Sequence, residues 1–277
     1  MRLTGRPGLF RPIGMNKSLL FAALFAMPAL AGNVSFLDPK GDDNGAGTYV
    51  YPTDPVYKKG SFDLTDVSIK ESGDSLEITL GVNASIEDPW DSAKWPTPGN
   101  GFSLQMFQIY VDSAPGGEIN ALPGMNATFA DGWEKVIVVS PQANNQIASR
   151  LDQKAKAMKA NVVLPSKVSA KGKKITAIVK KSDLGIDLSK AGIQVLVSSN
   201  EGFDNQPNNG VLARIVNEFE GKDRFGGGDD GDSDPNFIDC LAGKGKGSDD
   251  EKTAQAEMLK FDAKGKKKPV LKMVHAS

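Results

Sequence analysis

The 277-residue chain has one cysteine, Cys240, so no intrachain disulfide can form. Stability must come from core burial, with bound metal as a second source. There is one histidine, His275, too few for a His-rich zinc site. Met273 and His275 lie two apart, on one side of an extended segment, and cannot bracket a haem iron from opposite faces. No Gly-rich loop leads into Lys-Ser/Thr and a helix, which argues against nucleotide binding. After residue 31 no apolar run is long enough to span a bilayer. No internal repeat of solenoid or propeller length is present. A net charge of −1 lacks the positive excess that nucleic acid would need.

At the N-terminus, Met15–Ala31 has Lys17, the apolar run Leu19–Met27, and then Ala29-Leu30-Ala31 before Gly32. That order is a secretory signal peptide. Residues 1–14 read either as an extended basic n-region or as sequence upstream of a start at Met15. The expected domains are a leader, 1–31, and a mature domain, 32–277. Loss of the leader's four basic residues leaves 29 Lys and Arg against 34 Asp and Glu, a net charge of −5. The expected location is secreted or periplasmic, with attachment to the cell surface as a variant. Cys240 sits in the apolar run Phe237–Leu241 and reads as a small buried hydrophobe.

The mature chain reads as strands separated by Gly, Pro and Asp turns. Leu76, Ile78, Leu80 and Val82 alternate with smaller or polar residues, so 61–70 and 75–82 form a hairpin around Glu71–Asp74. Phe102–Asp112 is apolar on both alternations, as in a central strand covered on both faces. Further strands are expected at 133–140, 160–164, 173–180, 192–199, 211–217, 254–261 and 269–275. Residues 147–159 stay ambiguous, because their Ala and Lys content favours helix among strand neighbours. Pro89, Pro96 and Pro98 make 84–100 a long surface loop. About ten strands and almost no helix predict an all-β domain, a β-sandwich or jelly roll.

Two stretches stand out, Phe36–Pro52 and Phe225–Asp239. Both crowd Gly and Asp beside aromatic residues. Gly permits tight turns, and Asp supplies hard oxygen ligands. The candidate ligands are Asp38, Asp42 and Asp43 in the first stretch and Asp229, Asp230, Asp232 and Asp234 in the second. Calcium is the cation these oxygens favour, although the EF-hand pattern is absent because Pro235 and Leu241 stand where Gly and Glu would be required. The same carboxylates in polar turns lack the burial that a glycosidase acid needs, so no catalytic role is read. Trp90, Trp95, Tyr49 and Tyr51 are candidates to stack on sugar rings. Packing beneath the loops is the competing role for all four. The cluster Lys264–Lys268 reads as a solvated turn.

The blocks FLDPKGDDNGAGTYVYPTD, GSFDLTDVSI, GFSLQMFQIYVD, VLVSSNEGF and RFGGGDDGDSDPNFIDCL together resemble the C-terminal module of bacterial glucodextranases. That module is similar to DOMON domains and to family-nine carbohydrate-binding modules. The resemblance implies a jelly-roll sandwich, a non-catalytic role in binding a polysaccharide or cell-envelope glycan, and structural calcium at Asp38, Asp42, Asp43 and the 229–239 loop. The Asp91–Thr97 insert and the Lys-rich 153–174 region depart from the family. The alternatives are an envelope interaction module without sugar affinity and a haem-binding redox module.

Overall fold

The structure is a computed structural model that describes residues 1, 33–202, 211, 213–229 and 233–276. The leader therefore lies outside the described residues, as do Asp230 and Asp232. In chain order the strands are β1 Val34–Leu37, β2 Leu64–Ser72, β3 Ser75–Val82, β4 Gln105–Asp112, β5 Glu118–Asn120, β6 Thr128–Trp133 and β7 Lys135–Val139. They continue with β8 Val162–Val163, β9 Lys167–Lys171, β10 Lys174–Lys180, β11 Gly192–Ser199, β12 Asp239–Cys240, β13 Val270–Leu271 and β14 Val274–His275. Three short helices intervene: α1 Asn144–Lys154, α2 Lys181–Leu184 and α3 Asp249–Met258.

One sheet has the order β1-β2-β3-β10-β9. A second has the order β12-β11-β4-β7-β8, with β14 also on β11, and a small third is β13-β6-β5. Pairing is antiparallel except β7–β8 and β6–β13. The β2–β3 hairpin forms as expected, with Ser72 opposite Ser75 and Gly73 at φ 57° in the turn.

The second sheet is covered on both faces, which accounts for its continuous apolar strands. Phe107, Ile109 and Val111 of β4 join Ile193, Val195 and Val197 of β11 in a core shared with the first sheet. The alternate residues Met106, Tyr110 and Leu196 pack in a second core with Phe129, Trp133, Ile147, Leu151 and Cys240. Each fully buried Val, Leu, Ile or Phe contributes roughly 1.5–3 kcal/mol. Cys240 is buried, as its apolar setting indicated.

Two expectations are corrected and one ambiguity is resolved. Residues 254–261 are not a strand, because α3 runs through most of them. A capping box starts that helix: Ser248 accepts from the N3 backbone, and Glu251 accepts from the Ser248 N–H. Among the described residues of 211–217 there is only a bridge between Ala213 and Asn200, not a strand. Arg214, next to that bridge, enters an ion-pair network with Glu201 and Asp223. The ambiguous stretch resolves as α1 followed by a 3-10 turn over Lys156–Asn161. The body is thus mostly β with a few short helices.

Candidate functional site

The two Gly/Asp stretches meet. Gly45 N–H donates to the Ile238 carbonyl at 2.9 Å, the Tyr49 hydroxyl donates to the Pro235 carbonyl at 2.6 Å, and Val50 bridges Gly226. Two positions at this junction require glycine. Gly45 has φ 60°, and a Cβ there would stand 2.4 Å from the Tyr49 ring. Gly227 has φ 89°, and its Cβ would stand 2.1 Å from the Thr48 carbonyl oxygen.

This junction gathers carboxylates. Asp38, Asp42 and Asp239 each place an oxygen within 4.8 Å of the other two, and all three are buried. Oxygens so spaced can surround a single hard cation at about 2.3–2.6 Å. Both oxygens of Asp38, one of Asp42 and one of nearby Asp63 are buried without a hydrogen-bond partner. Such atoms are costly to bury unless something completes them.

The electrostatics agree. Burial, then the charges of Asp42, Asp63 and Glu251, hold the Asp38 carboxyl well above the usual range. Burial and Asp63 push Asp42 up to about 7, and burial foremost pushes Asp63 up to about 6. Asp239 is raised by burial, then by Asp38 and Asp42. The expectation of acids in solvated turns is therefore corrected, because these carboxylates are buried among like charges.

The surrounding shell is rigid. Asp239 accepts from Leu64 N–H at 2.7 Å and from Cys240 N–H at 2.8 Å. Gln255 of α3 donates to the Asp42 carbonyl at 2.6 Å and accepts from Cys240 N–H at 3.0 Å. Glu251 accepts from the amides of Lys244, Lys246 and Gly247. An open groove with Lys40, Lys246 and Lys252 borders Asp38.

Asp43 is committed elsewhere, accepting from the Tyr51 hydroxyl and from Gly60 N–H. Asp229 and Asp234 raise the Tyr49 hydroxyl through their charge, after burial, and stand outside the triad. The sequence reading reached Asp239 only as the end of the 229–239 loop and did not name Asp63. The signal for Asp239 was its setting in an apolar run, which marks a buried carboxylate.

The second feature is a cleft of about 540 Å³ walled by Trp90, Trp95, Tyr57, Gln142 and Arg214. Its aromatic wall is the Pro-rich loop. Ser92, fully buried, donates to Asp88 through both N–H and hydroxyl, and Gly101 N–H donates to the Ser92 hydroxyl. Trp95 Nε1–H donates to the Trp90 carbonyl at 3.0 Å, and Asn100 donates to the Ser140 and Gln142 carbonyls.

The floor is ionic. Arg214 donates to the Tyr57 hydroxyl at 2.9 Å and lies 3.0 Å from Asp223. Its Nε is 3.4 Å from Glu201, which Arg224 also meets at 2.9 Å. The Arg214 guanidinium lies 5.6 Å from the Trp90 ring centroid and covers one face of that ring. Burial foremost pushes the Tyr57 hydroxyl up to about 12, so it stays neutral.

Trp90 and Trp95 thus come together on the cleft, while Tyr49 and Tyr51 do not. Tyr49 is buried, and Tyr51 packs between Phe62 and Phe225. Their expected stacking on a ligand is corrected to a packing role under the loops.

A mostly-β body with a fixed aromatic cleft and a buried oxygen cage is the make-up of a binding module. No helix among the described residues is long and apolar enough to cross a membrane. The chain belongs to the family described as the C-terminal, SLH-like binding module of glucodextranase, whose model matches residues 34–274. The family is thus that of a binding module, not of a catalytic domain. A search of curated proteins found no match.

Proposed function

We propose that this chain is an exported, calcium-supported module that binds a neutral glucan or related envelope glycan in the Trp90–Trp95 cleft. In this reading the two packed sheets are a jelly-roll, DOMON-like sandwich. The observation that carries the reading is the cleft: a volume near 540 Å³, two indoles held by a hydrogen-bonded loop, and polar side chains opposite them. Apolar sugar faces stack on such rings while hydroxyls meet the polar wall. Calcium suits the triad because its donors are all carboxylate oxygens and several carry no other partner.

Replacing Trp90 and Trp95 together with Ala is expected to weaken retention on a glucan matrix about tenfold or more. The melting temperature should fall by less than about 5 °C, because both rings are partly exposed. A collapse in melting temperature would assign the rings to packing and remove the cleft as the binding site. The exported protein is expected to begin at Gly32. N-terminal sequencing of periplasmic and medium fractions checks this, and a start at Met1 or Met15 would overturn export by cleavage.

A further inference from the structure

Gln142 stands out on the cleft wall. It is nine-tenths buried, and its side-chain amide makes no hydrogen bond among the described residues. Its backbone is tied down: the N–H donates to the Ser140 hydroxyl at 3.1 Å, and the carbonyl accepts from Asn100. The side chain reaches toward Gly202, where a Cβ would stand 3.3 Å from Nε2. Gly202 also lines the cleft, so the missing side chain keeps space beside the amide. Neighbouring Gln146 differs, since its amide already donates to Thr97. The amide faces the cleft with no protein partner, so a ligand that meets both its donor and its acceptor replaces water there with two directed hydrogen bonds.

The cations on the wall already have partners. Arg214 faces Glu201 and Asp223, and Lys222 faces Asp54. An anionic sugar would compete with these carboxylates, whereas an uncharged one would not. An amide presents an acceptor and a donor side by side. Two hydroxyls on adjacent ring carbons present a matching donor and acceptor.

We propose that Gln142 is a specificity-determining residue that grips a vicinal hydroxyl pair of an uncharged pyranose stacked on the open face of Trp90. This rests on the glycan reading of the cleft. The linkage of the polymer then decides affinity. A glucan linked through O6 leaves O2, O3 and O4 free along the chain, which gives adjacent pairs. One linked through O4 leaves O2 and O3. One linked through O3 leaves O2 and O4, which are not adjacent. The cleft therefore selects O6- and O4-linked glucans over O3-linked ones.

The test is calorimetric titration of the full chain with linear O6-, O4- and O3-linked glucans, for wild type, Gln142→Leu, Gln142→Glu and Trp90→Ala. Wild type is expected to bind the first two at least about tenfold more tightly than the third. Gln142→Leu should remove that preference at unchanged melting temperature, because its side chain supports no fold contact. Gln142→Glu keeps the shape and the acceptor but loses the donors, and should also lose the preference. If both Gln142 variants keep wild-type affinity and ranking while Trp90→Ala loses binding, the proposal is overturned and the glycan reading stands. If wild type binds none of the three glucans, the glycan reading falls and the proposal falls with it.

Discussion

Calcium added to chelator-treated protein at pH 8 is expected to raise the melting temperature by about 5–10 °C. A ligand at 100 times its Kd adds about 2.7 kcal/mol, and a domain of this size gains about 2–4 °C per kcal/mol. The shift should disappear as the pH falls to 5, because protons and calcium compete for the same oxygens. The metal-free protein should show the opposite slope. Asp42 and Asp63 are raised from 3.8 to about 7 and about 6 in the folded state. Groups raised on folding contribute stability that is complete below the unfolded pKa and is lost as pH rises through the folded one. In chelator the melting temperature should therefore rise from pH 8 to pH 5.

Asp38→Asn separates the two effects. With chelator it should be neutral or stabilising, since it removes one charge from a crowded set. With calcium it should be destabilising relative to wild type. A melting temperature blind to calcium at pH 8 would overturn the cation reading of Asp38, Asp42 and Asp239.

Arg214→Ala is expected to lower the melting temperature by about 10 °C and to abolish glycan retention. The guanidinium is buried against Glu201, Asp223, Tyr57 and Trp90. Breaking a buried ion pair by removing one partner costs about 3–5 kcal/mol, and here it leaves Glu201 and Asp223 with Arg224 as their one remaining cation in this network. The double variant Arg214→Met with Glu201→Gln should recover part of that loss, since Arg224 and Asp223 are then left as a cluster with no net charge. Thermal melts of the three proteins decide the matter. A loss under about 2 °C for Arg214→Ala would mean that water screens the network.

The legible parts of this chain were those governed by local periodicity. The β2–β3 hairpin, β4 and β11 follow from alternation or continuous apolarity read over a few residues. The helix α3 was missed because its buried side chains are Glu251 and Gln255. A helix anchored by polar groups has no apolar stripe to read. The triad was half legible. Asp38 and Asp42 lie together in a Gly-rich stretch, while Asp239 joins them only through the pairing of β12 with β11. The cleft divides in the same way. Its indoles are five residues apart in one loop, but Gln142 and Arg214 arrive from segments that only the folded chain brings beside them.

The junction of the two Gly/Asp stretches also has a kinetic consequence. Tyr49 bonds to Pro235, Leu37 N–H bonds to Gly245, and the cage takes Asp239 from the far end of the chain. Contacts of such long sequence separation must close a very large loop before they return any energy. The first Gly/Asp stretch is thus among the last segments to be secured, although β1 itself pairs with nearby β2. A chain that has delivered everything up to residue 230 still holds an open cage and an unpaired first loop. Residues 235–245 therefore act as a latch that closes over the first Gly/Asp stretch once they have been added.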